Sequence, residues 1–222
     1  YGNVIANVWD DAIEAEGSGM NVRVWGNYAH HTFISFGIAG QSLGPFYLYR
    51  NISGLSERGT VESGRNTRGG SFAKIGGESR SVSGRSGTLG LRYSSNRKVQ
   101  DNIRSRNNIL ETRSDSEPAI VDHNGTPSND FDYDLTNSRW NVAAGQESNA
   151  IIATPRYASD NGELEFFLEA GSPGQDAASV LPGFNSAHAG AGPDMGAFEV
   201  GAPPLRFGLD ADWTEWALWR AR

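Results

Sequence analysis

Residues 25–31, WGNYAHH, decide the fold, because their pattern returns at a fixed step along the chain. The segments YGNVIAN and YRNISGL repeat its order of an aromatic residue, one variable position, an asparagine and an apolar residue. The shared asparagines, spaced by 24 residues, are Asn3, Asn27 and Asn51. A further copy, RNNIL, carries Asn108. A motif that returns at one fixed step is typical of stacked repeats.

Short stretches of alternating apolar and polar residues fill the space between these asparagines. NVRVWGN, FISFGIAG, PFYLYRN and ELEFFLEAG all show the period of two that favours β-strands. A step of 24 residues made of short strands fits one turn of a parallel β-helix, in which equivalent asparagines stack at one corner and bond to the backbone of the bend. A leucine-rich horseshoe is the rival repeat architecture, but its leucine-dense consensus is missing. We therefore predict an all-β chain with about 24 residues per turn.

The composition limits the classes of protein and of partner. The chain has 222 residues, no cysteine and a net charge of −7, which describes a folded, loop-rich protein without disulfides or thiolate chemistry. It contains no apolar run long enough to span a membrane. Residues 50–106 hold 12 Lys and Arg against 4 Asp and Glu, whereas the rest holds 7 against 22. That acidic remainder would repel phosphates, so we expect no nucleic acid partner.

Two segments depart from the repeat. Residues 52–107 are rich in Gly, Ser and Arg and are predicted to be a basic loop insert with short strands, one of them in SFAKIGG. Residues 209–222 place Trp213, Trp216 and Trp219 on one face of a predicted short helix that caps the stack. The predicted β-helix therefore spans residues 1–208, with a helical tail after it.

The last third of the chain carries the most specific motifs. NDFDYDLT at 129–136 is followed by LEAGSPGQDAA from Leu168 and by GPDMGAFEVG at 192–201. This order resembles the closing segment of bacterial secreted right-handed parallel β-helix proteins of the pectate-lyase-like superfamily, over about four fifths of the chain. Gly174 and Gln175 replace an Ala-Ile pair of that pattern. The resemblance implies a right-handed β-helix, a polysaccharide as partner and a secreted or periplasmic location in a bacterium.

Acidic residues are concentrated in DDAIEAEG, which begins at Asp10. If this stretch is a strand, Ile13 and Ala15 face inward, and Glu14 and Glu16 share the other face about 6.5–7 Å apart. Two carboxylates at about that separation suit the general acid and general base of an inverting glycosidase. A solvated strand face is the alternative interpretation.

Asp10 and its neighbour Asp11 lie at the bend before this pair. They are close enough to raise one another's pKa or to bind Ca²⁺. No cofactor is required by this scheme, and Ca²⁺ is an optional ligand. The four candidate catalytic residues are Asp10, Asp11, Glu14 and Glu16.

Candidate substrate-binding residues come from outward strand positions and from the corner. Arg23 and Trp25 are two residues apart, as are Tyr47 and Tyr49. In a strand, the two members of each pair therefore point to the same face. Aromatic faces suit sugar rings, and cations suit sugar carboxylates. The full set is Arg23, Trp25, His30, His31, Tyr47, Tyr49 and Lys74.

These residues lead to three hypotheses of function. The first is a secreted glycoside hydrolase that cleaves a polysaccharide by carboxylate acid/base catalysis. The second is a polysaccharide lyase that acts by β-elimination on a uronate polymer and uses cations of the basic insert. The third is a non-catalytic glycan-binding or adhesion module. Because no capping segment precedes Tyr1, we also expect a homo-oligomer that covers the first turn.

Overall fold

The computed structural model describes residues 1–15, 19–38, 43–54, 73–75, 79–82, 85–88, 101–112, 118–122, 127–158 and 166–203. Within these residues the chain is all-β and contains no helix, and hence no helix that could cross a membrane. The described strands are β1 Val4–Glu14, β2 Val22–Trp25, β3 Tyr28–Gly37, β4 Phe46–Tyr49, β5 Ile52–Ser53, β6 Ala73–Ile75, β7 Ser79–Val82, β8 Arg85–Thr88, β9 Ile103–Arg106, β10 Ile109–Leu110, β11 Pro118–Asp122, β12 Asp130–Asp132, β13 Leu135–Thr136, β14 Arg139–Asn141 and β15 Ile151–Ile152.

Parallel pairing dominates the described strands. A nine-stranded sheet, named the large sheet, has the order β14-β11-β6-β3-β5-β10-β13-β15, with β1 paired to β3. A four-stranded sheet, named the small sheet, has the order β12-β9-β4-β2. The hairpin of β7 and β8 is antiparallel. The chain passes repeatedly from a strand of the small sheet to the next strand of the large sheet, so equivalent strands of successive repeats become neighbours.

A ladder of amide side chains joins these repeats at the corner between the two sheets. The Oδ1 atom of Asn27 accepts the Nδ2 group of Asn3 at 2.8 Å, and Asn51 and Asn108 continue the chain with Nδ2–Oδ1 distances of 2.9 Å. Each Oδ1 also accepts the backbone N–H of the preceding member. The prediction that Asn3, Asn27 and Asn51 occupy one corner is confirmed, and the fourth copy joins them.

The asparagine ladder ends at Asp134. The Oδ1 atom of this buried carboxylate accepts both the backbone N–H of Asn108 at 2.7 Å and its Nδ2 group at 2.9 Å. A carboxylate has no N–H to pass on, so it can only be the last member of the series. Burial raises the pKa of Asp134 to about 6. Burial and the charge of Asp134 together raise the pKa of the neighbouring Glu147 well above its usual range.

The inner faces of the strands form one hydrophobic core. Alternate residues of the small sheet, such as Phe46, Leu48, Ile103 and Phe131, are fully or almost fully buried and pack against Leu110 of the large sheet. Their neighbours in sequence therefore point outward, as the period of two requires. This alternation places a regular array of side chains on the outer face of the small sheet.

A second hydrophobic core lies on the outer side of the large sheet. Ile52, Ile109 and Leu135 stand in register there and pack against Met195 and Phe198 of the C-terminal segment 166–203. The motif GPDMGAFEVG therefore packs against three successive strands of the large sheet. Apolar outward residues on these strands provide the surface that the segment covers.

A buried arginine fixes this C-terminal segment to the corner. Nη2 of Arg50 lies 2.8 Å from Oε1 of Glu199, and Nε of Arg50 donates to the carbonyl of Gly196 at 3.2 Å. Gly196 has a φ of 90° and lies directly over Ile52 and Ile109, where a Cβ atom would collide with both side chains. The glycine and the glutamate of the motif therefore have structural roles.

Parts of the predicted division of the chain into a β-helix, a basic insert and a helical tail lie outside the described residues. The short strand expected in SFAKIGG is present as β6. Most of the insert 52–107, the boundary at 208 and the tryptophan-rich tail 209–222 fall outside the description.

Candidate functional site

The outer face of the small sheet carries two rows of side chains that cross all four strands. The first row consists of Arg23, Tyr47, Arg104 and Asp130, which are register partners. The second row consists of Trp25, Tyr49, Arg106 and Asp132. Neighbouring strands lie about 4.8 Å apart, so each row extends over about 14 Å. The face is aromatic and basic at one end and charged at the other.

A groove of about 520 Å³ opens at the aromatic end of this face. It is lined by Arg23, Trp25, Tyr47, Tyr49 and the loop residues Leu181, Pro182, Gly183 and Phe184. The ring of Phe184 meets Trp25 and Tyr49 edge to face, at centroid distances of 5.5 and 5.2 Å. Nη1 of Arg50 holds the carbonyl of Phe184 at 3.0 Å, so the anchor of the C-terminal segment also fixes this wall.

The aromatic residues of the groove differ in what they expose. Trp25 is only 9% exposed, and Tyr1 stacks on its flat face at 4.4 Å with an interplanar angle of 14°. Tyr47 and Tyr49 are half-buried and lie 5.4 Å apart at an angle of 53°. Burial raises the pKa of Tyr49, against a lowering effect of Arg106, so its phenol stays protonated at neutral pH. The tyrosines, rather than Trp25, are the residues that can contact a ligand directly.

Several polar groups of the groove are open to a ligand. Within the described parts of the chain, the exposed guanidinium of Arg23 has no ion pair or hydrogen bond, and the hydroxyls of Tyr47 and Tyr49 have no hydrogen bond. An arginine presents a planar fork of donors that matches a carboxylate or neighbouring hydroxyls. Phenols both donate and accept. The groove thus combines apolar walls with a few polar groups, as is usual in small-molecule sites.

The other end of the face is charged but internally paired. Asp130 bridges two arginines, with Oδ2 at 2.9 Å from Nη1 of Arg104 and Oδ1 at 2.5 Å from Nη2 of Arg106. Asp132 accepts the backbone N–H of Asn149 at 2.6 Å and its Nδ2 group at 2.7 Å. These hydrogen bonds lower the pKa of Asp132, although burial acts in the opposite direction. Asp132 is therefore ionised near neutral pH and is not a general acid, and both carboxylate oxygens of Asp130 are occupied by guanidinium groups.

Three of the predicted catalytic carboxylates, Asp10, Asp11 and Glu14, lie elsewhere, on β1 at the edge of the large sheet. Ile13 and Ala15 pack against the inner core and Glu14 is exposed, so the predicted alternation is confirmed for these three residues. The carboxylate of Asp11 occupies the space that a Cβ atom on Gly37 would need. Gly37 is also the register partner of Glu14, so Asp11 and Glu14 flank one glycine. The side chain of Asp10 and all of Glu16 are outside the described structure.

The remaining predicted binding residues do not line the groove. His30 is on β3 of the large sheet, and its ring stacks on Tyr28 at 4.9 Å and lies 5.7 Å from Phe166. Lys74 is in β6 of the same sheet. The side chains of Lys74 and His31 are outside the description. The alternation predicted from the sequence thus identified Arg23, Trp25, Tyr47 and Tyr49, which lie together in the groove. His30 and His31 lie apart from them, on β3 of the large sheet.

Residues that the sequence did not single out complete the face. Arg104 and Arg106 alternate with buried residues in IRSR, and Asp130 and Asp132 do the same in DFD, so their parity could have identified them. Phe184 lies in a loop without periodicity, so no sequence signal marked it.

Metal binding has no support from the described side chains. No group of three or more His, Asp or Glu residues in that part of the chain could hold a metal ion. The suggested binding of Ca²⁺ near Asp10 stays a prediction.

Comparison with known proteins gives no relative. A scan of protein-family models, a search of curated proteins and a search of solved structures each return no match.

Proposed function

We propose that the chain is a right-handed parallel β-helix that binds a polysaccharide in the groove on its small sheet. The alternation of the chain between two parallel sheets supports the β-helix, as does the asparagine ladder with its 24-residue steps. The resemblance of the closing motifs to pectate-lyase-like proteins adds the handedness and a location outside the cytoplasm. The observation that carries the function is the convergence of Arg23, Tyr47 and Tyr49 in one open groove.

Each part of the groove suits one feature of a sugar chain. The rings of Tyr47 and Tyr49 offer apolar surface to the C–H faces of pyranoses, and their hydroxyls reach sugar oxygens. Arg23 offers a guanidinium to a carboxylate or to paired hydroxyls. Trp25, buried under Tyr1 and Phe184, makes the floor rigid. A rigid aromatic platform costs little conformational entropy on binding.

Binding is favoured over hydrolysis at this face by the state of its carboxylates. In the described part of the chain, the residues that line the groove include no aspartate or glutamate. Farther along the face, Asp130 is ion-paired with two arginines, and hydrogen bonds from Asn149 hold Asp132 in the ionised form. Acid/base cleavage of a glycosidic bond needs one protonated carboxyl group that is free to reach the glycosidic oxygen, whereas Asp132 is ionised and Asp130 is engaged by Arg104 and Arg106.

Glycoside hydrolysis is the second candidate function, and it would use β1. The approach of Asp11 to Gly37, the register partner of Glu14, supports it, because this brings two carboxylates to one edge of the large sheet. A hydrolase releases reducing ends, whereas β-elimination yields unsaturated ends that absorb ultraviolet light. Loss of reducing-end release in Glu14→Gln, with normal binding, is the result that this candidate requires.

The binding proposal is tested with a panel of soluble polysaccharides in affinity electrophoresis and calorimetry. The panel contains a neutral mixed-linkage β-glucan, a glucuronoxylan with scattered acidic groups and the dense polyanion polygalacturonate. We expect Tyr47→Ala and Arg23→Ala each to weaken binding by about tenfold, or about 1.4 kcal/mol. Arg139→Ala is the matched control, because Arg139 is an exposed strand residue of the large sheet. Equal loss in the control, or no binding by the unaltered chain, would contradict the proposal.

A further inference from the structure

The charged end of the outer face suggests which polysaccharides the groove accepts, an inference that rests on the proposed function. The two rows contain three arginines, namely Arg23, Arg104 and Arg106, and two aspartates, Asp130 and Asp132. Without the aspartates, the face would be a stripe of cations suited to a run of acidic sugars. With them, only one positive charge is left over, and it lies at the end that bears the groove.

Asp130 forms ion pairs with both arginines beside it, and Asp132 supplies the second negative charge at this end of the face. One carboxylate oxygen contacts Arg104 and the other contacts Arg106, at 2.9 and 2.5 Å. The side chain of Arg106 is held further by the backbone carbonyls of Ser105 and Asp130, at 2.7 and 2.9 Å. A ligand carboxylate at this end would have to displace Asp130 and lie close to Asp132 as well. Like charges this close together at a protein surface repel one another.

Arg23 is in a different position. Among the described residues it has no acidic partner, and three strand spacings of about 4.8 Å separate it from Asp130 in the same row. That distance of about 14 Å exceeds the screening length of about 10 Å at 0.1 M salt. Arg23 therefore acts on a ligand charge independently of the paired cluster.

We propose that the face selects polysaccharides with isolated acidic groups over those with consecutive ones, and that Asp130 is the residue that sets this selectivity. A single acidic group meets Arg23 beside the tyrosines, and neutral sugars extend over the paired end. A dense polyanion places further carboxylates against Asp130 and Asp132. Asp130 thus acts through the charges of Arg104 and Arg106 rather than by contact with the preferred sugar.

The test compares Asp130→Asn with the unaltered chain on three probes. Asparagine keeps the size of the side chain and removes its charge, and the side chain of Asp130 is 43% exposed, so the fold is expected to persist. Glu169→Gln is the matched control, because Glu169 forms an exposed ion pair with Arg156 outside the face. The probes are glucuronoxylan, polygalacturonate and mixed-linkage β-glucan, each titrated at low and high salt.

We expect the unaltered chain to bind glucuronoxylan more tightly than polygalacturonate. Asp130→Asn should tighten binding of polygalacturonate about tenfold at low salt, with a steeper salt dependence and less than about twofold change for the β-glucan. Equal polygalacturonate binding by Asp130→Asn and the unaltered chain overturns the inference. If Tyr47→Ala still weakens glucuronoxylan binding in that case, the proposed function survives. If Tyr47→Ala binds every probe normally, the groove is not the binding site and both proposals fail.

Discussion

The corner of the asparagine ladder and the outer face of the small sheet are built from the same repeats, yet they use polar side chains in opposite ways. At the corner the same residue returns, is buried at Asn27, Asn51 and Asn108, and hydrogen-bonds to its copies. On the face the residue changes from strand to strand, and Arg23 and two tyrosine hydroxyls have no partner in the described chain. Repetition with full internal bonding indicates a structural role, whereas variation with open polar groups indicates a binding role.

The largest effect is expected from a change in the ladder. Asn51→Leu removes the acceptor of the Asn27 backbone and side-chain N–H groups. It also leaves the carbonyl of Val24 without its side-chain donor, and Oδ1 of Asn108 keeps only the backbone N–H of residue 51. Each stranded buried group costs about 1–3 kcal/mol, so the free energy of unfolding should fall by roughly 4 kcal/mol or more. Because the whole domain has only about 5–15 kcal/mol, urea unfolding would detect this at once.

The control for the ladder is a change of similar size on the face. Arg23→Leu should alter the free energy of unfolding by less than about 0.5 kcal/mol, because the side chain is exposed. Similar unfolding curves for Asn51→Leu and Arg23→Leu would remove the distinction between the two regions.

A smaller effect is expected where the C-terminal segment covers the large sheet. Gly196→Ala places a methyl group 2.8 Å from Cδ1 of Ile109 and 3.0 Å from Cγ1 of Ile52, at a φ of 90°. Gly145 has the same φ but open space around it, so Gly145→Ala reports the backbone strain alone. We expect Gly196→Ala to lower the free energy of unfolding by about 1–3 kcal/mol more than Gly145→Ala does. An equal decrease in the free energy of unfolding for the two variants would mean that the second core accommodates the added methyl group without loss of stability.

The end of the ladder makes stability depend on pH. Burial raises the pKa of Asp134 to about 6, and the pKa of Glu147 is raised further, so the folded state binds protons that the unfolded chain has released. Stability therefore falls as the pH rises from about 4 through neutrality. In urea unfolding at pH 5 and pH 8, the unaltered chain should lose on the order of 1–3 kcal/mol more than Glu147→Gln. A flat profile for both proteins would show that these carboxyl groups titrate normally.

A small change in stability is also expected for a tyrosine of the groove. Tyr47→Ala should shift the free energy of unfolding by less than about 1 kcal/mol, because its ring is only half-buried and lies on the outer face of the small sheet. The same change should weaken polysaccharide binding about tenfold. Calorimetric titration beside thermal unfolding separates the two effects, and a loss of binding that follows a loss of fold would count against the groove.

The features that could be predicted from the sequence are those that follow its 24-residue repeat or the two-residue alternation of its strands. The 24-residue step identified the ladder, and strand parity brought Arg23 and Trp25 to one face with Tyr47 and Tyr49. Loop positions carry no period, so neither the wall at Phe184 nor the placement of GPDMGAFEVG along the large sheet could be predicted. The end of the ladder at Asp134 was missed because a carboxylate replaces the amide at the last position. The predicted association through the first turn stays a prediction that light scattering can test.

The most direct test of polysaccharide binding on the outer face of the small sheet is backbone hydrogen exchange, measured with and without glucuronoxylan. When glucuronoxylan binds, backbone amide exchange should become slower in β2, in β4 and in residues 181–184. Exchange should stay unchanged at the corner residues Asn27, Asn51 and Asn108. Protection confined to β1, or spread over the corner with the groove unaffected, would contradict the assignment of binding to the outer face of the small sheet.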